Sequence, residues 1–478
     1  MAIDDDQQHI GRFWTSDSEN RVGGVLKLRS GRAPRVELHD ELTPGFRPVN
    51  DAEDGQWRTL GPANDGPHVE SLLLHGEISS SPRAVTLVDC FTYHRRFQLF
   101  GEGVSEQFLQ ARYALFGAHV ESQDLKFSGV RVRLSSLAAW ANLEGFSGTQ
   151  SPGAKASLHL DYETPEVPQI KLHNGATLRI VPTIKLPVSV TPDGVSISRS
   201  VFVEITGAPS SDWNGIDRSY VRPLRSFLQL CTLRESMVDQ VEVQVGGNWI
   251  RLVASRIGGN ALANQTADSV IRFSDIGIEP LAEWLDCVDD LGPTPAVVSD
   301  GITGSQDTIE TQLLELTTVA EGLHRSIFPQ EDRLTVDQAE NVRLIVREAI
   351  KSEPSRVQDV VNGRFGYIEE MSYPHRLRAI AKEAAVALPE IAGRINRWAD
   401  AVSTARNRFA HGTGRGVKEE ETDELIGLIE SLRWCLTTVL LLNCHTPAQV
   451  IADRFKSHQR FEHYTAQVKV SLPRVYAE

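Results

Sequence analysis

Cysteine is scarce and unpatterned. The 478 residues hold five, Cys90, Cys231, Cys287, Cys435 and Cys444, and none forms a C-x-x-C pair. An odd, scattered set excludes a disulfide framework and a thiolate zinc site as the basis of the fold; it fits reduced thiols and predicts a cytoplasmic protein. Catalytic signatures of several large classes are absent too. There is no G-x-x-x-x-G-K-S/T phosphate loop, no G-x-S-x-G elbow and no H-E-x-x-H pair. His458 and His463 in HQRFEH lack the i, i+4 spacing of a helical zinc pair, so no metal or cofactor is expected. The opening MAIDDDQQHIGRFW is acidic and lacks an apolar core, so it does not read as a secretory signal. The most apolar run, LIGLIESLRWCLTTVLLLNC (425–444), carries Glu430 and Arg433 and reads as a buried helix, so no membrane partner is expected. Positive charge is short as well: 49 Lys and Arg face 63 Asp and Glu, a net charge of −14. Binding of nucleic acid or anionic membrane over the whole surface is thereby disfavoured, and any nucleic-acid site must be a local basic patch.

What is present is ordinary globular material, 41% hydrophobic and 23% charged, enough for roughly two to four domains. The composition divides the chain into three. Residues 1–210 alternate in short runs punctuated by Gly and Pro, such as VGGVLKLRSG, RVELHDEL, VESLLLHGEI and AVTLVDCF. HNGA and PDGV are hairpin turns, because Asn-Gly and Asp-Gly accept positive φ at low cost. SEQFLQARYALFG and LSSLAAWANLEG read as short helices or turns. The expectation is a mostly antiparallel, sandwich-like β domain with two sheets face to face. Trp14, Phe91, Trp140 and Trp213 are expected in its core. Residues 211–304 mix a helical run, YVRPLRSFLQLCTL, with the hairpin DQVEVQVGGNWIRLVAS, and read as an α+β connecting segment. From residue 305 the period becomes helical, with Leu313, Leu316, Ala320 and Leu323 at 3–4 spacing. Thr335 with Gln338 is a capping-box pair. The region 305–478 reads as an all-α bundle of about six helices, making the whole a multidomain α+β protein.

One stretch, STARNRFAHGTGRG (403–416), is not explained by helix building. In a helix over 389–411, Ile391, Ile395, Trp398, Val402, Ala405 and Phe409 fall within about 40° of one line. Asn407 and His411 are neighbours at i and i+4 on the face away from that line, and Arg406 flanks it at about 60°. Gly412 and Gly414 then end the helix. An imidazole exchanges protons near neutral pH, a guanidinium matches phosphate oxygens, and Asn407 is placed to orient the imidazole. Arg397, Arg408, Arg415 and Lys418, with Arg376, Arg378, Lys382 and Arg394, form a local basic patch able to hold RNA. The plain alternative is a solvated face laced with ion pairs. Glu321 reads as a surface carboxylate, or otherwise as a partner for Arg406. The His324-Arg325 and His375-Arg376 dipeptides read as surface groups.

RNRFAH resembles the R-N-x-x-x-H motif of HEPN ribonuclease domains. The opening GRFWTSDSENRVGGVLKLRSG and LHGEISSSPRAVTLVDCF, joined to such a C-terminal domain, resemble the ApeA family of bacterial anti-phage proteins. The resemblance implies a metal-independent endoribonuclease toxin of an abortive-infection system, with Arg406, Asn407 and His411 as catalytic residues and RNA as substrate, tRNA being one candidate. It implies a homodimer through the HEPN domain that brings two motifs to one phosphate, and an N-terminal β domain that restrains the nuclease or reads a phage-derived trigger. The alternative is a non-catalytic HEPN RNA-binding or dimerisation module with a ligand-sensing β domain.

Overall fold

The computed structural model describes residues 7–16, 18, 20–42, 46–48, 60–62, 71–96, 105–122, 124–151, 157–184, 189–191, 194–258, 269–302, 304, 307–328, 333–366, 368–410 and 419–476. The chain forms two compact units, Met1–Leu228 with Ser236–Asp268, and Gln229–Glu235 with Ser269–Glu478.

In the first unit, β1 (Gln7–Thr15), β2 (Val22–Leu28), β3 (Arg35–Leu38), β4 (Leu72–Ile78), β5 (Ala84–Arg96) and β6 (Glu106–Gln110) are antiparallel neighbours in the order β5-β4-β1-β2-β3-β6. β6 pairs again with β5, and the ring closes into a barrel without a free edge. The alternation seen in VGGVLKL becomes alternating burial along β2, because successive side chains point to opposite faces of a strand. Phe13, Leu26, Val36, Leu74, Leu87 and Leu109 meet inside, so the two faces that pack on each other are opposite walls of the barrel.

Seven further strands continue the sheet from β5. They are β7 (Tyr113–Phe116), β8 (Phe127–Leu134), β9 (Gln169–Lys171), β10 (Thr177–Ile184), β11 (Arg199–Ser211), β12 (Val238–Val245) and β13 (Asn248–Ala254), in the order β7-β13-β12-β8-β11-β10-β9. The β12–β13 hairpin turns at Gly246 and Gly247, with φ of +56° and +84°. The HNGA turn joins β9 to β10 through Gly175 at φ +86°, and Asn174 Oδ1 accepts from the Ala176 N–H. The turn of PDGV lies outside the described residues. One face of this extension is aliphatic, with Val130, Val132, Ile180, Val203, Ile205 and Val241 buried. On the other face Arg179, Glu204, Arg131, Glu242 and Arg251 stand side by side across five strands, alternating in sign.

Two readings of this unit need correction. SEQFLQARYALFG forms β6 and β7 where short helices or turns were expected, because each segment is recruited into the sheet as a partner of β5. Phe91 is 39% exposed. Leu74 pairs with Leu87 but Leu72 with Cys90, a one-residue bulge that contains Asp89 at φ +52°; it shifts the alternation and turns Phe91 outward.

The second unit is helical. It contains α1 (Glu279–Cys287), α2 (Thr294–Ile302), α3 (Ile309–Ile327), α4 (Val336–Ala349), α5 (Ser355–Phe365), α6 (Tyr373–Ala385), α7 (Ile395–Ala410), α8 (Glu419–Asn443), α9 (Ala448–Lys456) and α10 (Gln459–Ser471), with short turns at 273–276 and 473–476. α8 is its axis, packed by α2, α3, α6 and α10. By length and composition α8 is the one described helix able to cross a membrane, but 83% of its apolar window is buried within the protein's own fold. The α3 stripe Leu313, Leu316, Ala320 and Leu323 is buried, and the Thr335–Gln338 capping box forms in both directions. There are more helices than the six expected. α5 has no buried apolar stripe to mark it, since Val357 and Val360 stay exposed, and TPAQVIADRFKSHQRFEHY breaks at Ser457–His458 into α9 and α10.

Candidate functional site

The sequence of α7, INRWADAVSTARNRFA, fixes its own roll. Trp398, Ala399, Val402, Ser403 and Ala405 are buried, a stripe at 3–4 spacing. The helix begins at Ile395, six residues later than the periodicity predicts. Gly393 takes φ +52°, and a Cβ there would lie 2.7 Å from the Val475 carbonyl oxygen, so the chain turns before α7 starts. Given that roll, Asn407 is exposed and Arg406 lies half-buried at the margin of the stripe.

Arg406 does not reach freely into solvent. Its Nη2 donates to Glu321 Oε2 on α3 at 3.3 Å. Its guanidinium carbon sits 4.3 Å from the centre of the Tyr373 ring on α6, cation–π stacking distance. The Tyr373 hydroxyl donates to the Thr317 carbonyl at 3.0 Å. Burial pushes that phenol well above its ordinary pKa, so it stays neutral. Glu321 is shared with Arg325 at 3.2 Å, Arg325 continues to Glu370 at 2.8 Å, and Arg376 faces Glu370 at 3.7 Å. Arg376 Nη1 donates to His324 Nδ1 at 3.2 Å, deep in the unit.

This network revises three sequence readings. Glu321 pairs with Arg406 across 85 residues and is only part-exposed, so it is more than a surface carboxylate. His324 is fully buried and Arg376 is 5% exposed, where both were expected at the surface. The signal for His324 was present: Thr317, Ala320 and His324 sit at i, i+3 and i+7 on the buried stripe of α3. Tyr373 carries no local sequence signal of this role; it stands at the start of α6 beside Pro374.

Of the expected RNA-binding residues, Arg408 and Arg397 are described. Arg408 is part-exposed and bonds Glu421 at 2.9 Å, and Arg397 is exposed, its Nη1 donating to the Arg474 carbonyl at 3.0 Å. Both line an open groove of about 1080 Å³ between α7, α8 and the 470–475 segment, with Ala405, Leu425 and Leu428 on its wall. Part of the basic run is laced with ion pairs, since Arg378 also bonds Asp400 at 2.8 Å. His411, Arg415 and Lys418 lie outside the described residues.

The helical unit carries Arg406 and Asn407 in the last turns of amphipathic α7, and the family described as Apea-like HEPN matches residues 314–449. The family described as ApeA N-terminal domain 1 matches residues 8–252, just over half of the chain. The chain therefore belongs to the ApeA family, with a HEPN domain of its type on the C-terminal side. No curated protein and no solved structure matches it.

Proposed function

We propose that the protein is a metal-independent endoribonuclease toxin of an anti-phage abortive-infection system, with Arg406, Asn407 and His411 as its catalytic residues. RNA carries its own nucleophile. The 2′-oxygen attacks the adjacent phosphorus, the bond to O5′ breaks, and the products are a 2′,3′-cyclic phosphate and a 5′-hydroxyl. One imidazole accepts the 2′-OH proton and a second, from a two-fold mate, donates a proton to the departing O5′. Arginine holds the extra negative charge on the phosphorane oxygens, and Asn407, one turn before His411, orients the imidazole. Because each chain supplies one motif, this chemistry calls for a homodimer through the helical unit. DNA, lacking the 2′-OH, is not cut. The β unit is the natural restraint on such a toxin and the place to read a phage-derived trigger; tRNA is one candidate substrate.

The observation that carries this reading is the state of Arg406: a guanidinium held part-exposed at the end of α7, beside an exposed Asn407, in a chain of this family. Purified parent, Arg406→Ala and His411→Ala are compared on total RNA in EDTA, with cleaved ends sequenced and oligomeric state measured. Loss of 2′,3′-cyclic phosphate ends in both variants, at unchanged fold and assembly, supports the reading. Equal RNA loss in all three would leave a non-catalytic HEPN binding or dimerisation module.

A further inference from the structure

We propose that Glu321 and Tyr373 are positioning residues, holding the Arg406 guanidinium in one plane and one rotation so that its remaining N–H groups meet a phosphate. The inference rests on the ribonuclease reading above and names two residues that the motif does not contain.

An arginine at a helix end ordinarily samples many rotamers, and each must be frozen before two parallel N–H···O bonds to phosphate can form. Here two contacts from different helices remove that freedom. Stacking on Tyr373 fixes the plane of the guanidinium, and the bond from Nη2 to Glu321 fixes its rotation within that plane. A guanidinium has five N–H donors, and among the described residues these contacts engage one N–H and one face. The side chain keeps 28% of its surface exposed, leaving an edge open to an anion.

The clamp is itself held. Thr317 and Glu321 are one turn apart on α3, so a single helical face provides the carbonyl that anchors the Tyr373 hydroxyl and the carboxylate that takes Arg406. Glu321 is further fixed by Arg325, and Arg325 by Glu370. Charge is not cancelled in this cluster. Arg406, Arg325 and Arg376 share two carboxylates, Glu321 and Glu370, so the group keeps a surplus cation for phosphate. That surplus favours a positioning role for Glu321 over a neutralising one.

The test measures kcat and KM for RNA cleavage in Glu321→Ala, Tyr373→Leu and Tyr373→Phe, each with Arg406 intact and with Arg406→Ala. With Arg406 present, Glu321→Ala and Tyr373→Leu lower kcat roughly 10–100-fold, the range a misplacement near 1 Å produces, while KM changes little. Tyr373→Phe keeps the ring but loses its anchor on the Thr317 carbonyl, and its kcat falls between those of Tyr373→Leu and the parent. In the Arg406→Ala background, where the residual cleavage is read at excess enzyme over RNA, neither change adds a further loss, which a merely structural role would not produce. Equal losses in both backgrounds, parental kcat in Glu321→Ala and Tyr373→Leu, or a rise in kcat in Glu321→Ala would each overturn the proposal. If parent and Arg406→Ala cleave alike, the ribonuclease reading has failed separately. Binding of a short 2′-O-methyl RNA oligonucleotide then decides: affinity lost in Glu321→Ala and Tyr373→Leu only when Arg406 is present upholds the clamp, and unchanged affinity ends it.

Discussion

Trp398 Nε1 donates a 2.8 Å hydrogen bond to Ser431 Oγ, and both residues are fully buried between α7 and α8. The serine hydroxyl passes its own proton on to the Leu428 carbonyl at 2.8 Å, so the pair is satisfied in both directions. This bond fixes the roll and height of α7 on the axis of its unit. Arg406 lies two turns further along, so its direction is inherited from Trp398.

Ser431→Ala leaves the indole N–H buried without its acceptor, and should cost about 1–3 kcal/mol. Trp398→Phe removes that donor but opens space as well. Because the two residues touch, Trp398→Phe with Ser431→Ala should cost less than the sum of the single changes. Urea unfolding of the three variants, followed by tryptophan fluorescence and far-UV circular dichroism, checks this. A strictly additive result would show that the bond does not couple the helices.

The features legible in the sequence were the local ones. Alternation in VGGVLKL, the Asn-Gly turn at 174–175, the Thr335–Gln338 box and the apolar stripe of α7 each depend on residues within a few positions of one another. Barrel closure was not legible, because it needs β5 to pair with β6 as well as β4, a matter of register between distant runs. SEQFLQARYALFG has helix-forming Leu, Ala and Gln and becomes strand through its neighbours. The motif residues announced themselves by spacing. Their support did not: Glu321 and Tyr373 belong to other helices, and nothing local marks a carboxylate that will meet a guanidinium 85 residues away.

Glu204 gives a prediction for the β unit. Its carboxylate has no solvent exposure and is ion-paired with both Arg131 and Arg179, in the middle of the alternating row. Glu204→Gln leaves two guanidiniums facing a neutral amide, and should destabilise the unit by about 3–5 kcal/mol. Glu242→Gln removes a carboxylate that keeps 20% exposure and lies 3.7 Å from Arg131, and should cost clearly less than Glu204→Gln. Chemical denaturation of the two variants side by side tests the ranking, and equal costs would refute it.

His458 sets an acid sensitivity in the helical unit. Burial, then the nearby cations Arg460 and Arg234, hold its imidazole below the ordinary value of 6.5. The folded state thus resists protonation that the unfolded chain accepts. Stability from the neutral form is complete above about pH 6.5 and declines as the pH falls towards the lowered folded value. The thermal midpoint should drop between pH 7.5 and 5.5, and drop less in His458→Gln. Parallel pH profiles for the two proteins would show that this histidine is not responsible.

Arg408 and Glu421 test whether the groove along α7 meets RNA. The guanidinium now spends a 2.9 Å bond on Glu421, and the two side chains are 31% and 35% exposed. A part-exposed pair of this kind contributes about 0–1 kcal/mol to stability, so Glu421→Gln should leave the unfolding midpoint nearly unchanged. Its effect on RNA should be larger. Removing the carboxylate takes away a repulsion for phosphate and releases Arg408 from that contact. Binding of single-stranded RNA should tighten, and the slope of log K against log salt should steepen by about 0.7 for one added phosphate contact. Arg408→Ala made in the Glu421→Gln background should weaken binding and flatten the slope by the same amount, and in the parent, where Glu421 holds Arg408, it should change the slope little. Fluorescence anisotropy across a salt series separates these outcomes. If Glu421→Gln and Arg408→Ala leave both affinity and slope at parental values, this groove carries no phosphate, and RNA must approach the motif from the Asn407 side.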